Sequence, residues 1–155
     1  MSYWVRPTTA DIGIRAFAKN RNELLREMTI GMQSIVLEGK QDINSLTRKT
    51  GRWEVFHDGS FEILIVKWLD EILYRSEVYN EFLVDCQPII KSDRIEAEVS
   101  FVEKSFVKLE LEIKATTTHE FTFREVASGE TILSIWEDIP SFDGPGWYGD
   151  VVFDI

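Results

Sequence analysis

With 155 residues, 44% of them hydrophobic, the chain is long enough to bury a core of its own and short for two, so one domain spanning residues 1–155 is expected. Seventeen Lys and Arg stand against 27 Asp and Glu, a formal charge of −10, which disfavours a broad nucleic-acid surface because such surfaces need clustered basic residues to displace counterions. The single Cys86 excludes an internal disulfide, MSYWVRP carries no apolar leader core, and the longest apolar run, FEILIVKWLDEIL, is broken by Glu62, Lys67, Asp70 and Glu71; a cytoplasmic protein without a membrane span is expected.

Tyr3 to Arg6 and the run IGIRAFA read as two strands, and Asn20 with Glu23 has capping-box spacing, which predicts a helix from that point. Leu24, Leu25, Met28, Met32, Ile35 and Val36 recur at steps of three and four, giving one apolar stripe to about Leu37 with the methionines as core filler. EGKQDINSLTRKTG lacks periodicity and reads as a loop, RWEVF as a short strand, and Asp58-Gly59 as a turn before Ser60, a second helix cap. The second helix carries the stripe Phe61, Leu64, Ile65, Trp68, Leu69, Ile72 and Leu73, with Lys67–Glu71 and Glu71–Arg75 spaced as exposed ion pairs.

From Glu81 the period changes to two. EFLVDCQPII and RIEAEVSFV flank the turn KSD, FVKLELEIKATT alternates Val107, Leu109, Leu111 and Ile113 with Lys108, Glu110, Glu112 and Lys114, HEFTFREV and TILSIWED flank ASGE, and a last strand starts near Trp147. The expected fold is α+β: two amphipathic helices packed on one face of a largely antiparallel or mixed β-sheet, a two-layer sandwich.

Several motifs have plain explanations. GPGWYG satisfies G-x-G-x-x-G, but six residues follow, too few to open a phosphate-binding helix, so it reads as a turn. His57 and His119 have no ligand-spaced partner, Cys86 has no second cysteine, and a thiol inside a strand is usually inert packing. Lys114 and His119 fit a cross-strand ion pair and a hydrogen-bonded imidazole; Asp11, before Gly13, closes an Asx turn or faces a site.

The end of the chain is less ordinary. Residues 1–57 hold nine Lys/Arg and six Asp/Glu, whereas from Val126 onward there are six Asp/Glu and no Lys, Arg or His; ordinary solvated loop residues account for most of these acids, and a cation would go at this end. Val151, Phe153 and Ile155 alternate with Asp150, Val152 and Asp154 as in a half-buried strand, which sets the Asp154 side chain beside the carboxylate of Ile155.

TTADIGIRAFAKNRNELLREMTIGM, VKWLDEILY, KATTTH and VVFDI, in that order, resemble the archease family over nearly the whole chain. The family's His-Thr-Ala-Asp-Ile-Gly stands here as Thr8-Thr9-Ala10-Asp11-Ile12-Gly13, an aromatic is often found where Thr118 stands, and the last hairpin is longer than usual. The resemblance implies an archease-like sandwich and a noncatalytic cofactor of the RtcB-type RNA ligase of tRNA splicing and repair, speeding guanylylation of the ligase and permitting multiple turnover. GTP would enter only through that ligase. It also implies a divalent metal held by Asp11, Asp154 and the carboxylate of Ile155, with Lys114 and His119 at further motif positions and Thr8 where the family histidine supports the site or meets the partner.

Physical chemistry agrees with such a ligand set. Three anionic oxygen groups at spacings of a few ångströms repel by several kcal/mol unless a cation lies among them. All-oxygen ligation favours Ca²⁺, Mg²⁺ or Mn²⁺, and three protein ligands leave positions for water or a partner group, so the site is expected to be incomplete alone. Two other readings use the same residues. One is a small metal-dependent phosphoester hydrolase with His119 or Lys114 moving the proton; the other is a general chaperone or interaction module presenting Trp147 and Tyr148.

Overall fold

The structure, a computed structural model, describes residues 2–7 and 11–155. In chain order it runs β1 (Tyr3–Arg6), β2 (Ile12–Ala18), α1 (Arg21–Ile35), β3 (Lys49–Phe56), α2 (Phe61–Tyr79), β4 (Glu81–Ile90), β5 (Arg94–Glu103), β6 (Ala115–Val126), β7 (Thr131–Ile132), β8 (Phe142–Asp143) and β9 (Gly146–Asp154).

Both helices start at the residues whose side chains cap them. The Asn20 side chain accepts from the Glu23 amide at 2.9 Å and Ser60 Oγ accepts from the Ile63 amide at 3.4 Å, each serving a donor that the first turn leaves free. α2 ends at Asn80 in the left-handed conformation, where its amide returns to the Arg75 carbonyl. The α1 stripe is buried, Leu24, Leu25, Met28 and Met32 fully so, and on α2 Leu64, Ile65, Trp68, Leu69 and Ile72 are buried while the stripe's ends, Phe61 and Leu73, are half-buried. The helices meet at Trp68, whose indole Nε1 donates to Thr29 Oγ1 at 3.0 Å while that hydroxyl donates to the Leu25 carbonyl at 2.7 Å. Of the two expected helix-surface ion pairs, Glu71–Arg75 forms at 3.6 Å; Lys67 instead donates to the Phe56 carbonyl.

The α+β architecture is as the pattern implies, with the strands divided between sheets. A four-stranded antiparallel sheet has the order β1-β2-β9-β6, a three-stranded one the order β3-β5-β4, and β7 and β8 form a short ribbon. α1 packs on both β2 and β4, and α2 on β4 and β6, so the helices span the two larger sheets and bury one continuous core between them.

Two stretches of alternation are not strands. Val107 and Ile113 are buried and Leu109 and Leu111 half-buried, as period two demands, yet residues 108–114 belong to no sheet; the chain is held by a single bridge from Leu109 to Leu37. TILSIWED forms only the two residues of β7 before turning, because Leu133 and Ile135 meet no sheet and stay exposed. Alternation reports which side chains are buried; it does not report whether the backbone has a partner.

Candidate metal centre

The chain end is held on both sides. β9 pairs with β2 through Ile12 opposite Phe153 and Gly13 opposite Val152, and with β6 through Ala115 opposite Asp154 and Thr116 opposite Phe153. The Lys114 amide donates to the Asp154 carbonyl at 2.7 Å, extending the pairing by one bond. Asp11 directly precedes Ile12 and Asp154 directly follows Phe153, so both aspartates flank the last pair of the β2–β9 ladder, with Ile155 one residue on. Neighbouring antiparallel strands lie about 5 Å apart, a separation one cation can bridge. Asp11, Asp154 and Ile155 are all solvent-exposed.

The face carrying Asp154 is the one helices do not cover. On β9, Gly149, Val151 and Phe153 turn toward the core, with Gly149 against Met28; Tyr148, Asp150, Val152 and Asp154 therefore share the other face. On that face Arg15 and Asp150 form a buried ion pair, and the Asp150 carboxylate raises the Arg15 pKa above its ordinary value. Arg6 lies across Gly13, with its Cδ 3.2 Å from where a Cβ would stand, and reaches Glu120 at 3.0 Å. Guanidinium groups and aromatic rings alternate over this surface: Arg6 and Arg15 each sit 4.8 Å from the Trp136 ring, and Arg15 and Arg124 lie 5.5 and 5.1 Å from Tyr148.

This network accounts for much of the acidic tail. Asp150 is neutralised by Arg15, Glu130 pairs with Arg124 at 2.7 Å, and Asp143 accepts from Thr131 Oγ1 at 2.6 Å. Asp154 has no such cationic partner among the described residues and remains open to an external cation. Among the described residues no group of three or more His, Cys, Asp and Glu side chains is placed to hold a metal. A site here needs the main-chain carboxylate of Ile155 as its third anionic group, and this hard-oxygen set suits Ca²⁺, Mg²⁺ or Mn²⁺ rather than a metal that seeks nitrogen or sulfur.

The remaining residues lie at different distances along the chain path. Lys114 borders Asp154 through its backbone and is exposed. His119 lies further along β6, where residues 118–121 bulge opposite Val151 and Glu120 adopts φ 53°; its Nε2 is 4.0 Å from Glu120. Thr8 lies outside the described residues. Trp147 is half-buried against Phe123, and Tyr148 is half-buried between Arg15 and Arg124. Cys86 is buried, and desolvation pushes its thiol pKa up to about 12, so it is packing and not a nucleophile.

In the sequence, Asp70 stands out only as a charge interrupting an apolar run. From α2 its Oδ1 accepts from the Thr116 amide at 2.8 Å, tying the helix to the strand that holds the chain end. A carboxylate on the margin of an apolar helical stripe was the available signal, since a charge there needs a nearby donor.

The family described as "Archease protein family (MTH1598/TM1083)" matches residues 3–155. "Protein archease" of Methanosarcina barkeri (strain Fusaro / DSM 804) is 30% identical over 131 residues, covering 78% of this chain and 85% of the relative. The solution structure of Methanobacterium thermoautotrophicum protein 1598 superposes with a TM-score of 0.61 at 18% identity, covering 99% of both chains, a likeness of fold. No helix among the described residues is long and apolar enough to cross a membrane. On the match across its length and the sequence relative together, the chain belongs to the archease family.

Proposed function

We propose that this protein is a metal-bearing accessory factor, itself noncatalytic, that activates a GTP-dependent RNA ligase of the RtcB type by promoting its guanylylation and multiple turnover in tRNA splicing or RNA repair. The observation that supports this reading is the strand register: Ile12 pairs with Phe153, and Asp11 and Asp154, far apart in the chain, are the next residues beyond that pair, with Ile155 following Asp154. Family membership supports the same direction.

Asp11, Asp154 and the Ile155 carboxylate hold a divalent cation in this reading, Ca²⁺, Mg²⁺ or Mn²⁺, and the bound ion supplies charge neutralisation and open coordination positions for an anionic group. This chain's own contribution is positional. β2 and β6 clamp the terminal strand, the Lys114 amide fixes the Asp154 backbone, and Asp70 anchors the start of β6. Lys114 is the cation at the rim that meets the partner, with His119 and the Thr8 segment as supporting elements. GTP and RNA are bound by the ligase, and the setting is the cytoplasm, where Cys86 stays a thiol.

Titration of the protein into purified ligase with GTP and Mn²⁺, following the covalent guanylate, tests the reading. Stimulation is expected, reduced by roughly tenfold or more in Asp11→Ala and Asp154→Ala, the usual scale for loss of a group that holds a metal in place. Variants that stimulate like the parent would defeat the assignment of those residues.

A further inference from the structure

Residues 107–114 run beside α2 outside any sheet, and between them and the helix lies a cavity of about 630 Å³, within the range that ligand sites occupy. Its apolar floor is made by Val36, Leu73, Phe82, Leu109, Leu111 and Ile113. Its rim is charged: Asp70, Glu110 and Glu112 line it with Lys114, while the other pair of charges there, Glu77 and Lys104, neutralise each other at 3.1 Å. Glu110, Glu112 and Lys114 make no ion pair among the described residues, so the unmatched side chains leave a net negative rim. Tyr74 and Val78, one helical turn apart on α2, border the same space with 48% and 55% of their surface exposed.

The wall opposite α2 has an unusual backbone. Residues 108 and 110 bond to the segment after α1 (the Glu38 amide to the Lys108 carbonyl at 3.0 Å, the Glu110 amide to the Val36 carbonyl at 2.9 Å), and the Lys114 amide bonds to Asp154. Between those anchors the amides of Leu111, Glu112 and Ile113 donate to no protein acceptor among the described residues. This stretch has the side-chain alternation of a strand, is pinned at both ends, and lacks a neighbour. Backbone amides with no protein acceptor, in a stretch with the side-chain alternation of a strand, are the template that strand addition uses.

We propose that this groove is the docking site for an extended segment of the partner protein that alternates apolar and basic residues. The segment's backbone pairs with Leu111–Ile113, its apolar side chains enter the floor between Leu111, Ile113 and Leu73, and its Lys or Arg residues meet Glu110, Glu112 and Asp70. The proposal takes from the preceding reading only that the partner is a protein. Because the groove ends at Lys114 and Ala115, whose strand partner is Asp154, a docked segment leads directly to the candidate metal centre.

The test is a titration of the ¹⁵N-labelled full chain, free of metal and ligase, with the capped peptide Lys-Ile-Lys-Ile-Lys and its counterpart Glu-Ile-Glu-Ile-Glu. The basic peptide should give saturable shifts confined to residues 109–115 and 70–78, weakening at high salt as screened ion pairs do; the acidic peptide should give none. A form of the basic peptide N-methylated on alternate residues should bind more weakly, because the methyl groups block its backbone from approaching the Leu111–Ile113 edge. Glu110→Lys/Glu112→Lys changes two exposed side chains and should bind the basic peptide at least about tenfold more weakly, the scale of two exposed ion pairs. Absent shifts, shifts elsewhere, or undiminished binding by the double variant would overturn the proposal, as would a concentration-dependent dimer abolished by the same variant, which would assign the groove to a second copy of this chain. With neither metal nor ligase present, failure here leaves the metal reading standing, and failure of the Asp11 and Asp154 variants to lose stimulation leaves the groove standing.

Discussion

Arg15 and Asp150 face each other in register across β2 and β9, with Nε to Oδ1 and Nη2 to Oδ2 both at 2.7 Å and each side chain about nine-tenths buried. The fork of the guanidinium matches both carboxylate oxygens, so the pair is satisfied although the covering layer is only loop and aromatic rings. Removing one member strands the other: Asp150→Ala should lose about 3–5 kcal/mol in urea unfolding, whereas Arg15→Met/Asp150→Leu, which removes both charges and keeps the volume, should recover most of that. Equal loss in single and double variants would show that packing, and not the uncompensated charge, sets the cost.

The contact between the two helices makes a comparable prediction without charge. Trp68 Nε1 and Thr29 Oγ1 are both fully buried, and the threonine passes the bond on to the Leu25 carbonyl. Thr29→Val keeps the shape and leaves the indole N–H without an acceptor, at a cost of about 1–3 kcal/mol. A double-mutant cycle with Trp68→Phe should return a coupling of comparable size, since the second change removes the orphaned donor.

Acid sensitivity has a named contributor on the outer face of the three-stranded sheet. Glu96 accepts from Lys91 at 2.8 Å and from Arg94 at 2.7 Å, and pairs with Arg52. Those hydrogen bonds, Lys91 first, hold its pKa at about 2, against an ordinary value of 4.5. A pKa lowered by folding means that the unfolded chain binds the proton more readily, so the stabilisation is complete above the ordinary value and fades as pH falls toward 2. The thermal midpoint of Glu96→Gln should lie below the parent's at neutral pH, and the two should converge between pH 4.5 and about 2. A constant gap across that window would remove Glu96 as the cause.

Cys86 supplies a kinetic marker for opening of the core. Burial disfavours its thiolate, and the thiolate is the reacting form. Modification by a disulfide reagent at neutral pH should be negligible in the native protein and complete within the dead time in denaturant. Rapid native labelling would mean that β4 opens locally.

The carboxylate of Ile155 can be moved without changing a side chain. β9 ends at Asp154 and Ile155 is 39% exposed, so adding Gly-Ser after Ile155 should leave the thermal midpoint of the metal-free protein unchanged. Metal affinity by calorimetry should nevertheless fall by about tenfold or more, as expected when one anionic ligand is withdrawn. Unchanged affinity would leave Asp11 and Asp154 as the only protein ligands.

Local chemistry by itself determined both helix starts, the main buried stripe of each helix, the inert cysteine and the alternation through β4 and β5, because each depends on neighbours within one or two turns or pleats, whereas β9, expected to be half-buried, buries both faces from Gly149 to Phe153 and leaves Ile155 exposed. The order of the four motifs likewise pointed to the family without any knowledge of contacts. Only the tertiary structure decided which strands pair: it divided them between two larger sheets and a short ribbon, left residues 108–114 outside any sheet, withdrew Asp150 from the acidic tail into an ion pair with a residue 135 positions away, and paired Ile12, next to Asp11, with Phe153, next to Asp154. Those outcomes depend on register between segments far apart in the chain, and a period of two is the same whether a strand's neighbour is a sheet, a helix or solvent.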